Sequence, residues 1–163
     1  SPDCPPDGRQ TYRIGMDGSA APIDDSVLEL LAERARTHPL VETVRTEHTG
    51  GILSLVVVEL DRNRYPDRIQ AARIEIRWYT NGDYNFHYIE THTADEIWQC
   101  RWDRHVNPHT TRTHFHPPPD ASSADAIADQ PTDPHPNDLF TRTVANVRQR
   151  IAAVWDSHDG PSN

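Results

Sequence analysis

Ile69-Gln70-Ala71-Ala72-Arg73-Ile74-Glu75-Ile76-Arg77-Trp78-Tyr79-Thr80-Asn81-Gly82-Asp83-Tyr84-Asn85-Phe86-His87-Tyr88-Ile89-Glu90-Thr91 is the stretch that decides the fold. Ala72, Ile74, Ile76 and Trp78 recur at every second position, and Arg73, Glu75, Arg77 and Tyr79 fill the positions between them. Successive side chains of an extended chain point to opposite faces, so Ile69 to Thr80 is a strand with one apolar and one polar face. Asn81-Gly82 then supplies the residues that tolerate positive φ in a tight turn, and Tyr84 to Thr91 returns as the second strand of a hairpin.

The same pattern continues on both sides. Downstream, Thr93 to Asp95 makes a turn into Glu96–Arg104, where Ile97, Gln99, Arg101 and Asp103 share one face and Trp98, Cys100, Trp102 and Arg104 the other. Upstream, beyond a polar loop at Asp61–Arg68, Leu40–Thr49 and Ile52–Leu60 flank Gly50-Gly51, and the branched run Leu53, Leu55, Val56, Val57, Val58 marks a central strand. Before the strands, capping oxygens on Asp24, Asp25 and Ser26 precede Val27, Leu28, Leu30, Leu31 and Ala35 at helical spacing, and His38-Pro39 stops that helix. After them, two irregular stretches at 105–113 and 117–136 lead to a long helix begun by Asn137, with Phe140, Val144, Val147, Ile151, Val154 and Trp155 on one stripe. The expected architecture is α+β: an antiparallel meander of about five strands with an N-terminal and a C-terminal helix packed on it. Residues 1–22, with four prolines and three glycines, read as an arm carrying a short strand at Tyr12-Arg13-Ile14, residues 23–156 as one domain, and 157–163 as a frayed tail.

The chain of 163 residues has 16 basic residues, all arginine, against 25 acidic ones, for a net charge of −9. Guanidinium is less strongly hydrated than ammonium, so a lysine-free, acid-coated protein is what molar intracellular salt favours, and a halophilic, haloarchaeal-type source is expected. Charge at that salt acts only locally, because the Debye length is about 3 Å. Residues 117–138 carry five aspartates and no arginine, whereas residues 97–116 hold Arg101, Arg104 and Arg112 against Asp103. No apolar run reaches the ~18 residues of a membrane span, and Ser1-Pro2-Asp3-Cys4-Pro5-Pro6 has no signal-peptide pattern, so a cytoplasmic protein is expected. Cys4 and Cys100 form neither a disulfide framework nor a metal knuckle, and both are expected to stay reduced. Without GxGxxG, P-loop, GxSxG or HExxH patterns, nucleotide-cofactor, α/β-hydrolase and zincin chemistries have no support.

Chemistry concentrates in Arg101-Trp102-Asp103-Arg104-His105-Val106-Asn107-Pro108-His109-Thr110-Thr111-Arg112-Thr113-His114-Phe115-His116, where four of the ten histidines fall within twelve residues. In extended backbone His114 and His116 point to one side and Phe115 to the other. Three uses are open. His114 and His116, joined by Asp103, His105 or His109, have the donors for zinc or another divalent metal. Without metal, His114 and His116 can serve as acid and base in phosphodiester transfer, with His105 and His109 beside them and Arg101, Arg104 and Arg112 holding the phosphate. The third use is as neutral polar residues hydrogen-bonded to carbonyls, which is how His38, His48, His87, His92, His135 and His158 read. The arginines of the 62–68 loop read as solvated. Trp78, Tyr79, Tyr84, Phe86 and Tyr88 read as hairpin and core packing in preference to a base-stacking platform.

The order of a strand-rich body, Trp102-Asp103 at the end of the last strand, His105 and His109, His114-Phe115-His116 with its prolines, and a long helix ending at Trp155 resembles the TumE-like toxins of prokaryotic toxin–antitoxin modules over roughly residues 69–155. The resemblance implies growth inhibition through RNA or translation, and a helix-turn-helix antitoxin as partner. The leading expectation is thus a toxin-like, ribonuclease-like protein working without a cofactor. The rival is a non-enzymatic protein-binding module whose histidines are structural or hold a metal through His114, His116 and Asp103.

The charge pattern carries its own test. Lowering KCl from molar to about 0.1 M lets the acidic groups repel one another, so the melting temperature should fall along that series. Circular dichroism melts read it, and an unchanged melt refutes adaptation to high salt.

Overall fold

The structure, a computed structural model, describes residues 21–105, 112–128 and 135–158. Cys4, His109 and the expected strand at Tyr12-Arg13-Ile14 lie outside the described residues. Helix α1 spans Asp25–Arg36 and is capped by Asp24, whose carboxylate accepts from the Val27 N–H. Seven strands follow: β1 (Val41–Thr49), β2 (Ile52–Leu60), β3 (Ile69–Trp78), β4 (Tyr84–His92), β5 (Ile97–Arg104), β6 (Thr113–His116) and β7 (Ile127–Ala128). Helix α2, Pro136–His158, ends the described chain. The strands pair in sequence order, each antiparallel to the next, so the sheet is the expected meander with seven strands in place of about five. The two additional strands are short pieces of the stretch around the histidines. Four residues of β6 pair with the end of β5, and two of β7 pair with β6.

The β3–β4 hairpin forms around Asn81-Gly82, with a longer loop than a two-residue turn. Trp78 pairs with Tyr84, the Tyr79 N–H donates to the Asp83 carbonyl, and the Gly82 N–H donates to Tyr79. Gly82 sits at φ +86, the left-handed residue that closes a three-residue hairpin loop. A Cβ there would also meet the Arg104 guanidinium at 3.0 Å.

Both helices cover one face of the sheet. Leu28, Leu31, Val56, Val58, Ile74, Ile76, Phe86 and Tyr88 are buried in that layer, joined by Leu139, Phe140, Val144 and Val147 from α2. The aromatics Trp78, Tyr84 and Phe86 stack on one another inside it, as expected for packing residues. Cys100 lies in the same layer as a free thiol, and burial pushes its pKa up to about 12, which leaves it unreactive. Instead of Asn137, the His135 ring caps α2, accepting from the Asn137 N–H, and Pro136 takes the first helical position.

A buried carboxylate fastens α2 to the sheet. Glu90 of β4 is wholly buried and receives Nε and Nη2 of Arg150, each at 2.8 Å, together with the Tyr88 hydroxyl at 2.7 Å and the His92 ring at 2.8 Å. Because Tyr88 donates to Glu90, it accepts from Tyr65, 2.9 Å away. The Arg150 guanidinium also lies 3.5 Å over the Trp98 ring. Burial alone would raise the Glu90 pKa, but the donors from Arg150, Tyr88 and His92 overcome it and hold the carboxyl below its ordinary 4.5.

Two outcomes follow from this packing. Phe140→Ala should cost about 3–5 kcal/mol in urea denaturation, since the ring is wholly buried, and half-buried Ile151 should cost less on truncation. Arg150→Met strands a buried carboxylate and should cost ~3–5 kcal/mol at neutral pH. With the folded pKa of Glu90 depressed, the stability it contributes is present above 4.5 and lost as pH falls through the lower folded value. Acid titration of unfolding should accordingly show a low-pH limb that Glu90→Gln reduces.

Candidate functional site

The face away from the helices carries the titratable cluster, and strand register assembles it. Asp103 pairs with His114 and Arg101 with His116 across β5 and β6. Cross-strand partners lie on the same face, so Arg101, Asp103, His114 and His116 form a two-by-two patch, while Trp102 and Phe115, also partners, stack in the opposite layer with centroids 5.3 Å apart. His105, one residue past β5, completes the group. Its N–H donates to the Arg112 carbonyl.

Distances are short throughout. His105 Nε2 and His114 Nε2 are 3.2 Å apart, and each lies 3.6 Å from Asp103 Oδ1. His116 Nε2 is 3.0 Å from Asp103 Oδ2, which also accepts from Arg101 Nε at 3.0 Å. One donor atom from each of Asp103, His105, His114 and His116 lies within 4.8 Å of all the others. Exposure divides the group: the side chains of His114, His116 and Asp103 are 0%, 3% and 3% exposed, whereas His105 is 43% exposed and forms the open side. Residues 117–126 close over the buried members. The Gln99 N–H donates to Pro119, and the Ser122 carbonyl lies 3.3 Å from His116 Nδ1.

That last contact fixes a tautomer. A carbonyl only accepts, so His116 Nδ1 carries the hydrogen and, in the neutral ring, Nε2 presents a lone pair to the cluster. Buried Asp103 Oδ1 and His116 Nε2 have no hydrogen-bond partner. His116 Nε2 approaches Asp103 Oδ2 to 3.0 Å, an ion-pair distance when the ring is protonated at both nitrogens, although the contact is not an aligned hydrogen bond. Burial pushes the Asp103 carboxyl up, but His116, His105 and Arg101 overcome it and hold Asp103 below its ordinary value. Burial likewise pushes His114 down, against the opposing pull of Asp103, so this imidazole is neutral at neutral pH and available as a proton acceptor or metal ligand.

The structure brings together His105, His114, His116, Asp103 and Arg101, and it separates the other two arginines from them. Strand alternation puts Arg104 on the Trp102 side of β5, where its guanidinium donates to Asp83 at 3.1 Å and to the Asn81 carbonyl. Arg112 donates to the same Asp83 oxygen at 2.8 Å. His114 and His116, read as extended backbone pointing to one side, do so in β6 and are buried there. Asp83 and the Ser122 carbonyl were not singled out by the sequence. Asp83 had the Asn-Gly turn as its only signal, and Ser122 had none, because a backbone oxygen leaves no trace in residue type. The cavity under α2, about 330 Å³ and lined by Trp98, Cys100, Trp102, Phe115 and Arg150, lies on the other face of the same strands, away from this cluster.

The family model described as toxin TumE matches residues 27–151. The chain belongs to the TumE toxin family. The match takes in α1, all seven strands and most of α2, so it extends upstream of the 69–155 region where the sequence resemblance was read. No curated protein and no solved structure gives a match. Among the described residues no helix is long and apolar enough to cross a membrane.

Proposed function

We propose that this TumE-family toxin acts on RNA, with the Asp103, His105, His114, His116 and Arg101 cluster as its chemical centre, and that a helix-turn-helix antitoxin holds it in check. The observation that carries the reading is the convergence of three imidazoles, a carboxylate and a guanidinium, with one imidazole open to solvent. Half-exposed His105 is the member a substrate reaches first. Buried His114, neutral at working pH, stands 3.2 Å behind it and can accept its proton, so that a proton taken from a ribose hydroxyl passes inward. Among the described residues Arg101 uses only Nε on Asp103, which leaves its two Nη groups for phosphate oxygens. Arg104 and Arg112, both drawn onto Asp83, take no part in this reading.

One observation favours a second reading. Four protein donors around one point, three of them buried, is the pattern of a closed structural site, and it fits a non-enzymatic module that binds a protein partner.

His105 separates the two, because its exposure lets it be removed with little effect on the fold. His105→Ala should keep the parent melting temperature while losing ~10²–10⁴-fold in rate of RNA cleavage and abolishing growth arrest. The assays are induced expression in a host with molar intracellular salt, with and without the neighbouring gene, and incubation of purified protein with total RNA. A His105→Ala chain that arrests growth like the parent overturns the catalytic reading in favour of the binding module.

A further inference from the structure

Two buried acceptor atoms in the cluster, Asp103 Oδ1 and His116 Nε2, have no hydrogen-bond partner. His116 donates through Nδ1 to the Ser122 carbonyl, so its Nε2 lone pair meets an Asp103 oxygen at 3.0 Å. His105 and His114 meet Nε2 to Nε2 at 3.2 Å, with one ring hydrogen shared between them. The His116–Asp103 pair needs a proton or a cation. A proton on His116 is poorly placed, since that ring's N–H direction misses the oxygen, and it leaves buried Asp103 Oδ1 without a partner. A single cation at the common centre takes up the Asp103 Oδ1 and His116 Nε2 lone pairs together with those of His105 and His114.

The spacing sets the size of that cation. Ligands held 2.0–2.1 Å from a tetrahedral ion stand about 3.3 Å from one another. The separations among His105, His114 and Asp103 Oδ1, 3.2, 3.6 and 3.6 Å, bracket that edge, and His116 Nε2 stands 3.0 Å from the other carboxylate oxygen, Oδ2, with one donor atom of each of the four residues within 4.8 Å of the rest. Three imidazoles and one carboxylate are borderline donors, suited to zinc and its neighbours, while magnesium and calcium require oxygen ligands. Two outer contacts orient the ligands as metal sites require: the Ser122 carbonyl on His116 Nδ1, and Arg101 on the Asp103 carboxylate.

We propose that Asp103, His105, His114 and His116 bind one divalent transition-metal ion, with zinc as the best fit. It shares only its centre with the toxin reading: when the Nε2 atoms of His105 and His114 hold a metal, the proton relay between them is replaced by a water on the metal. Buried Asp103, His114 and His116 form the base of the site, and His105 is the ligand at its mouth, the position where a water or substrate oxygen can enter as the coordination expands.

The test uses the full chain at high salt, stripped with a chelator and checked for folding by circular dichroism. Zinc is then titrated calorimetrically, metal content is measured by mass spectrometry, and cobalt(II) serves as a spectroscopic probe. One zinc per chain and the intense visible bands of four-coordinate cobalt are expected. His105→Ala, which keeps its fold, should weaken binding by at least the ~10–100-fold that loss of an outer contact costs, and Asp103→Asn should do the same. His48→Ala, at an exposed position on β1, should titrate like the parent. A folded parent chain that takes no stoichiometric zinc, or a His105→Ala chain that titrates identically, overturns the site. Since metal content is the readout, a harmless chain that still takes one zinc upholds the site and overturns only the RNA reading. An RNA-active chain that takes none overturns the site alone.

Discussion

The pairing of β5 with β6 is the constraint on which the rest depends. Four residue pairs set one register, and that register does two things at once because side chains alternate across a sheet. Trp102 and Phe115 go into the helix-covered layer, and Asp103 goes beside His114 and His116 on the other. A slip of one residue would exchange the two sets, burying histidines in the apolar layer and putting aromatic rings where the cluster stands. The apolar pair therefore locks the polar one, and the titratable cluster inherits its geometry from core packing on the reverse side of the same strands.

The second anchor works in the opposite direction, with polar groups holding apolar ones. Glu90 lies among the helix-facing residues of β4, where an unpaired carboxylate would be costly, and its oxygens are saturated by Arg150, Tyr88 and His92. The specific partner of that carboxylate on α2 fixes which turn of the long helix lies over which strand. Trp155, donating to the Arg64 carbonyl, fixes its far end. Between these points the Phe140 stripe needs only to be apolar.

How far the sequence revealed this depends on how local each signal is. Helix α1 was legible because its cap, its spacing and its Pro39 stop all lie within sixteen residues, and the β3–β4 hairpin because alternation surrounds Asn81-Gly82. Strands β6 and β7 were less so. Runs of four and two residues carry almost no periodicity, and only the neighbouring strand makes them part of the sheet. In the site, His-x-His spacing gave the common face of His114 and His116 correctly, but not their burial, which comes from residues 117–126 folding over them. The division among the arginines was beyond reach of spacing. Arg101 and Arg104 are three apart on a strand and so face opposite ways, and what Arg104 and Arg112 do instead was decided by Asp83, 21 and 29 residues upstream of them.

The charge of the cluster bears on its chemistry more than the charge of the whole chain. Asp103 and Arg101 cancel, and three imidazoles around them are neutral ligands when a metal occupies the centre. A dication bound there is neutralised by no second carboxylate, so the site becomes a compact positive centre on a protein whose formal charge is −9. Under molar salt, where distant charges are screened within about 3 Å, only such contact-range charge can select a ligand. The sign such a centre attracts is negative, and the member of the cluster that is exposed among the described residues is His105.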